Sequence, residues 1–283
     1  MRTPLVISRG FRVAIHFVIL CCLLATWPAF AKDKEKPPTD AELAAISARG
    51  KLLARYDEIA WHATDAVEAL HPPKGAVHGY VVDLRHDNWV CVFGALNDDK
   101  TALNIAYETV SAVEPEIDHQ RAFTANQSDS GDLYREFLTM DTARSAFGPH
   151  TQAYNDAVLP APGGGFYVYF YPGSTDNNII LMGGDVRYLV SADGKTVLET
   201  RKLHASIRQD EVHPKGMQTV EMAFHTHVLS DVPEDTDVMY VLMRRPPVPE
   251  LITSERFTYE IEVNGDIKFL GDSKKFLKNL KSK

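Results

Sequence analysis

The feature that most constrains the fold is a change of period at His71-Pro72-Pro73. Before it, Leu53, Tyr56, Ala60, Ala63, Val67 and Leu70 recur in steps of three and four, which is one face of an α-helix. Thr39 and Glu42 have capping-box spacing ahead of that pattern, so the helix is predicted to run from Asp40 to about Leu70. After the prolines the pattern alternates. Gly79 to Leu84, Trp89 to Gly94 and Thr101 to Glu108 read as short strands joined by R-H-D-N and N-D-D-K, an antiparallel meander with His86 in a turn. A long helix with one apolar stripe needs a partner surface, either the following sheet or another chain, and docking on its own domain is expected.

Further along, Asp129 to Phe147 supports a helix with Leu133, Phe137, Met140 and Phe147 on its apolar side, stopped by Gly148-Pro149. Residues 148–165 are rich in Pro and Gly and read as a connection between a first region, 39–147, and a strand-rich second region, 166–270. Their triple glycine is not followed by a helix pattern, which excludes a phosphate loop. In the second region Phe166 to Tyr171 is an aromatic strand, and Val186 to Ser191 pairs with Thr196 to Leu203 through Asp193-Gly194. The apolar run Val238 to Met243 follows, closed by R-R-P-P-V-P. Phe257, Tyr259, Ile261 and Val263 then alternate up to an Asn264-Gly265 turn, which leads into Asp266 to Leu270. Residues 271–283 form a basic tail. Strands and helices without regular β-α alternation predict an α+β fold.

The ends of the chain speak to location. Arg2, Arg9 and Arg12 precede an apolar run from Val13 to Trp27, and Ala29-Phe30-Ala31 is a small-residue cleavage signal, so residues 1–31 read as a signal peptide. The run is short of the roughly 20 apolar residues that span a bilayer, so no transmembrane segment is expected after cleavage. Leu20 before Cys21-Cys22 does not fit a lipid attachment site. Residues 32–38, K-D-K-E-K-P-P, read as a flexible tether. The expected location is periplasmic or secreted.

Losing the leader removes three positive charges from a chain whose formal net charge is already -8. No basic face is left to neutralise phosphates, which excludes nucleic acid as a partner and leaves a protein or a small molecule, unspecified. Cys91 alone then remains, so no intramolecular disulfide can form. Its setting, W-V-C-V-F, is that of a buried small hydrophobe.

Chemistry concentrates in Phe224 to Asp237, F-H-T-H-V-L-S-D-V-P-E-D-T-D. As a strand over residues 219–228, this stretch is expected to turn Val220, Met222, Phe224, Thr226 and Val228 to the core. Glu221, Ala223, His225 and His227 take the opposite face. An H-x-H pair on one face can grip a single ion. Pro233 breaks the ladder so that the chain can return a carboxylate, Asp237 first and Asp231 second, to a zinc held by His225 and His227. Glu221 or Glu234 is then the candidate base for a water at that ion. The chain as a whole reads as an exported bacterial envelope protein, non-catalytic or binding, for which a sheet face of Tyr167, Tyr169, Tyr171, Tyr188 and Tyr259 could supply the contact surface, with a metal-dependent zinc hydrolase at 225–237 as the alternative. Serine catalysis lacks its G-x-S-x-G motif.

H-T-H followed by P-E-D-T-D resembles the JAMM-type metallopeptidase signature. That resemblance implies zinc on His225, His227 and Asp237, with an upstream glutamate as general base. Here the loop is one residue shorter, Glu234 stands in place of the serine, and neither Glu199 nor Glu221 occupies the family's glutamate position. The longer run from G-G-D-V-R-Y-L-V-S-A-D-G-K-T-V to the N-G hairpin resembles a family of uncharacterised exported bacterial proteins, which implies no activity.

Overall fold

Thr39 starts α1 (Asp40–Glu68) as its spacing requires. Its hydroxyl accepts the Glu42 N–H at 3.3 Å, and the Glu42 carboxylate accepts the Thr39 N–H at 2.7 Å. The computed structural model describes residues 36–112, 121–174, 176, 178–211 and 220–280. The leader and most of the tether lie outside the described residues.

Leu53, Tyr56, Ala60, Ala63 and Val67 are buried as the stripe implies, whereas Leu70 falls beyond the last turn and is exposed. The stripe also extends backwards through Leu43, Ile46 and Gly50. The helix therefore packs on its own domain along its whole length. Leu43 and Ile46 join Val238, Val241, Ile252, Tyr259 and Ile261, while Leu53 to Val67 cover the meander. Each fully buried Leu or Ile in that stripe contributes about 1.5–3 kcal/mol.

The meander is β1 (Gly79–Arg85), β2 (Asn88–Leu96), β3 (Leu103–Ala112) and β4 (Arg121–Asp129), antiparallel in that order. His86 and Asp87 close its first hairpin with φ of 47° and 60°, the doubly left-handed turn that matches strand twist. Then come α2 (Asp132–Phe147), β5 (Tyr154–Pro160), β6 (Phe166–Pro172), β7 (Ile179–Gly183), β8 (Val186–Val190), β9 (Val197–Lys202) and β10 (Ile207–Glu211). A second antiparallel sheet runs β5-β6-β8-β9, and β7 pairs with β10 alone. Strand β5 lies inside the Pro- and Gly-rich run, and residues from Pro37 onward form one compact unit.

The last sheet positions the site. It runs β11 (Ala223–Thr226), β12 (Glu250–Thr253), β13 (Phe257–Ile261) and β14 (Ile267–Asp272). β11 and β12 are parallel and joined across α3 (Asp235–Met243), a β-α-β crossover within an otherwise antiparallel α+β architecture. The C-terminal tail carries α4 (Ser273–Leu280). Among the described residues no helix is long and apolar enough to cross a membrane.

Three expectations need correction. Val238 to Met243 is not part of a strand region but most of α3. Residues 235–241 are all buried, so the run shows no polar side from which a period could be read. The strand expected over 219–228 is confined to β11, with Thr219 outside the described residues, and its faces are inverted. Met222, Phe224 and Val228 are exposed while His227 is buried, because β11 is a sheet edge whose inner face meets α3 and the loop after β9. Finally, Tyr169, Tyr171, Tyr188 and Tyr259 are buried and offer no contact surface. The Tyr171 hydroxyl donates to Asp57 at 2.6 Å and that of Tyr169 to Asp235 at 2.7 Å.

Candidate metal centre

Three histidines from two segments meet the first turn of α3. His225 and His227 stand at the end of β11, which the His227 N–H pins to the Thr253 carbonyl of β12 at 2.7 Å. His204 follows β9, where the Leu203 N–H bonds the Asp185 carbonyl at 3.0 Å. Asp237 lies in α3, and its Oδ2 accepts the Glu234 N–H at 2.6 Å, closing the open helix end. Glu234 is itself buried against Arg201 at 2.5 Å. Asp235 is gripped by Arg49 at 2.9 Å and Arg187 at 3.0 Å, which fixes the whole turn.

Each ring is aimed through its Nδ1. His204 Nδ1 lies 2.7 Å from Asp185 Oδ1, and His225 Nδ1 lies 2.7 Å from Glu250 Oε1. His227 Nδ1 is 3.0 Å from the Val232 carbonyl and 3.2 Å from the Ser230 hydroxyl. Carboxylates and carbonyls only accept, so these contacts place a proton on Nδ1 and turn each Nε2 inward. The supports are held in turn. Asp185 accepts the Thr236 hydroxyl, and Glu250 meets Arg208 at 3.3 Å and Arg244 at 3.4 Å.

The inward atoms converge. His204 Nε2 is 3.1 Å from His227 Nε2 and 3.0 Å from Asp237 Oδ1. His225 Nε2 is 3.2 Å from Oδ1, and His227 Nε2 is 3.0 Å from Oδ2. All four ligand atoms lie within 4.8 Å of one another. With metal–nitrogen bonds of 2.0–2.1 Å, the edge of a zinc tetrahedron is about 3.3–3.4 Å, close to the contacts seen. Imidazoles oriented by carboxylates through the far nitrogen are the usual support of a metal site.

Electrostatics point the same way. Burial acts to lower both rings, but Asp237 and the Nδ1 carboxylates outweigh it, raising His204 to about 11 and His225 to about 9. Burial acts to raise Asp237, yet the histidines hold it well below the usual carboxylate range. Glu250 is likewise lowered by His225 and Arg244 against its own burial. The carboxylates thus call for positive charge among the rings, which protons or a divalent cation can supply.

Of the residues singled out by sequence, His225, His227 and Asp237 come together. Asp231 does not. Its carboxylate turns to Arg256 at 3.6 Å, and its carbonyl accepts the Tyr259 hydroxyl at 2.8 Å. Glu221 is exposed ahead of β11, and Glu234 caps α3 with its carboxyl raised to about 7 by burial. Neither lines the pocket onto which the cluster opens. That pocket has a volume of about 490 Å³, with Met182, Leu203, Ile207, Phe224, Val228, Leu229 and Tyr240 around the ligands. His204, Asp185 and Glu250 were not foreseen, because no local spacing links them to the H-x-H pair.

No family model, curated protein or solved structure matches the chain.

Proposed function

We propose that the chain is an exported, metal-dependent hydrolase whose divalent ion, zinc first, is held by His204, His225, His227 and Asp237. One observation carries this reading: three imidazole Nε2 atoms and a carboxylate converge at 3.0–3.2 Å while every Nδ1 is engaged elsewhere. A catalytic zinc lowers the pKa of a coordinated water to about 7 and polarises a carbonyl, and with these four protein ligands the water or carbonyl would enter as a fifth ligand. The chain's own part is to aim the ligands through Asp185, Glu250 and Val232, and to offer a mostly apolar pocket that partly excludes water. With Glu221 exposed and Glu234 tied to Arg201, neither is kept as the base.

The test is hydrolysis of chromogenic esters and of a peptide pool by the purified protein. Activity is expected to vanish with chelation, return with zinc and be absent in Asp237→Asn. Activity that survives complete metal removal would refute the proposal.

A second reading is a non-catalytic envelope protein with a structural ion. Four protein ligands favour it, since closed tetrahedral sites are typically structural. Zinc retained at full occupancy with no turnover on any substrate, and a large loss of stability on chelation, would select it. Both readings place the protein outside the cytoplasm. N-terminal sequencing of protein from the producing cell is expected to begin at Lys32, and a soluble chain with its leader intact would contradict export.

A further inference from the structure

We infer that the pocket binds a neutral acyl group carried on an apolar chain, with its carbonyl oxygen at the ion and the Tyr240 hydroxyl donating a hydrogen bond to it. This rests on the metal reading. Tyr240 lies one helical turn after Asp237, so α3 turns a ligand and a phenol to the same side, and both line the pocket. The residue is only 5% exposed, and its buried hydroxyl has no hydrogen-bond acceptor; the nearby Gly183 N–H can only donate to it, which leaves the phenol proton free. Buried phenols normally have one, so a partner that arrives with a ligand accounts for the gap. Burial also pushes this phenol well above its usual range, which keeps it a neutral donor.

The other polar group of note, Arg208, is already engaged. Its two terminal nitrogens reach the Phe224 carbonyl at 2.8 Å, Asp210 at 2.7 Å and Glu250 at 3.3 Å. Its charge is therefore offset, and among the described residues lining the pocket no other Arg or Lys stands ready for an anionic ligand. The mouth, in contrast, is apolar. Ile207, Phe224, Val228 and Leu229 line it and are all exposed, apolar surface that a hydrocarbon chain would cover.

The test uses the full protein loaded with cobalt(II), titrated with acetohydroxamate, hexanohydroxamate and inorganic phosphate while the visible absorption bands are followed. Hexanohydroxamate is expected to bind more tightly than acetohydroxamate, by up to about fourfold per methylene buried. Tyr240→Phe is expected to weaken both hydroxamates by roughly tenfold, the worth of one hydrogen bond. Its cobalt stoichiometry should stay the same and its melting temperature should stay about level, because a hydroxyl whose proton has no acceptor is removed. Equal hydroxamate affinity in the Phe variant, or no effect of chain length, would overturn the inference. So would phosphate binding where hydroxamates fail. Absence of cobalt bands before any ligand is added would instead remove the metal reading itself.

Discussion

Gly50 sits where α1 crosses the start of α3, and replacing it with alanine sets two effects against each other. Alanine favours the helix by about 1 kcal/mol over glycine. Its Cβ, however, would lie 2.4 Å from Val238 Cβ, 2.5 Å from the Asp235 carbonyl oxygen and 2.8 Å from Val238 Cγ1. Carbon contacts relax at about 3.5–4.0 Å, so the helices must part by roughly 1 Å. The two nearest of these atoms are a backbone oxygen and a Cβ and cannot rotate away, which puts the overpacking cost at about 3 kcal/mol, the upper end of the usual range. The net loss is about 2 kcal/mol, or roughly 4–8 °C in melting temperature for a chain of this size. The consequence reaches the site, because the displaced turn carries Asp237 while Arg49 and Arg187 hold Asp235 in place. Metal–ligand distances tolerate about 0.2 Å, so a shift near 1 Å should weaken zinc binding at least tenfold, about 1.4 kcal/mol. Denaturant unfolding of the zinc-free protein and competition against a chelating dye measure the two effects separately. A Gly50→Ala protein that is more stable, with unchanged zinc affinity, would refute the close seating of α3 on α1.

Other outcomes follow from the same geometry. Asp185→Asn removes the carboxylate that aims His204 at 2.7 Å, so zinc affinity is expected to fall about 10- to 100-fold with the fold intact, read by chelator competition. Unchanged affinity would show that Asp185 does not orient a ligand. Glu136 has a buried, unpartnered Oε2, and burial, reinforced by Asp83, raises its carboxyl to about 8. The folded chain therefore keeps a proton that the unfolded chain releases near pH 4.5, and stability is lost as pH rises from there to about 8. Glu136→Gln should match the wild type at pH 4 and exceed it by about 2 kcal/mol at pH 8, against a ceiling of about 1.4 kcal/mol per pH unit. A pH-independent gap between the two melting curves would contradict this. The Cys91 thiol is fully buried and pushed up by burial, so a disulfide reagent should label it only after unfolding. Rapid labelling of native protein would mean that β2 is not packed as described.

What the sequence made legible is what local rules encode. The Thr39–Glu42 cap and the stripe from Leu53 to Val67 are written in spacing, as are the hairpins at Asp193-Gly194 and Asn264-Gly265. Helix α3 was hidden because burial on all sides erases its period, although the acidic turn Glu234 to Asp237 was a helix start in plain view. For the H-x-H strand, alternation separated the histidines from Phe224 and Val228. Period alone cannot say which face turns inward, and here the polar face does, because each ring has a partner for Nδ1 and a common focus for Nε2. His204 completes the cluster from a different segment, and only the packing of the β9 end against α3 brings it there. No short motif could encode that approach.

His204 is therefore the residue that separates a site built by the fold from an H-x-H pair on an edge strand. The most direct measurement is zinc stoichiometry and affinity, by elemental analysis after equilibrium dialysis, for the wild-type protein and His204→Ala. The expected result is one zinc per chain in the wild type, with affinity at least about a hundredfold weaker, about 2.7 kcal/mol, once this ligand is removed. A wild-type chain that retains no zinc, or a His204→Ala chain that retains it as tightly, would contradict the account.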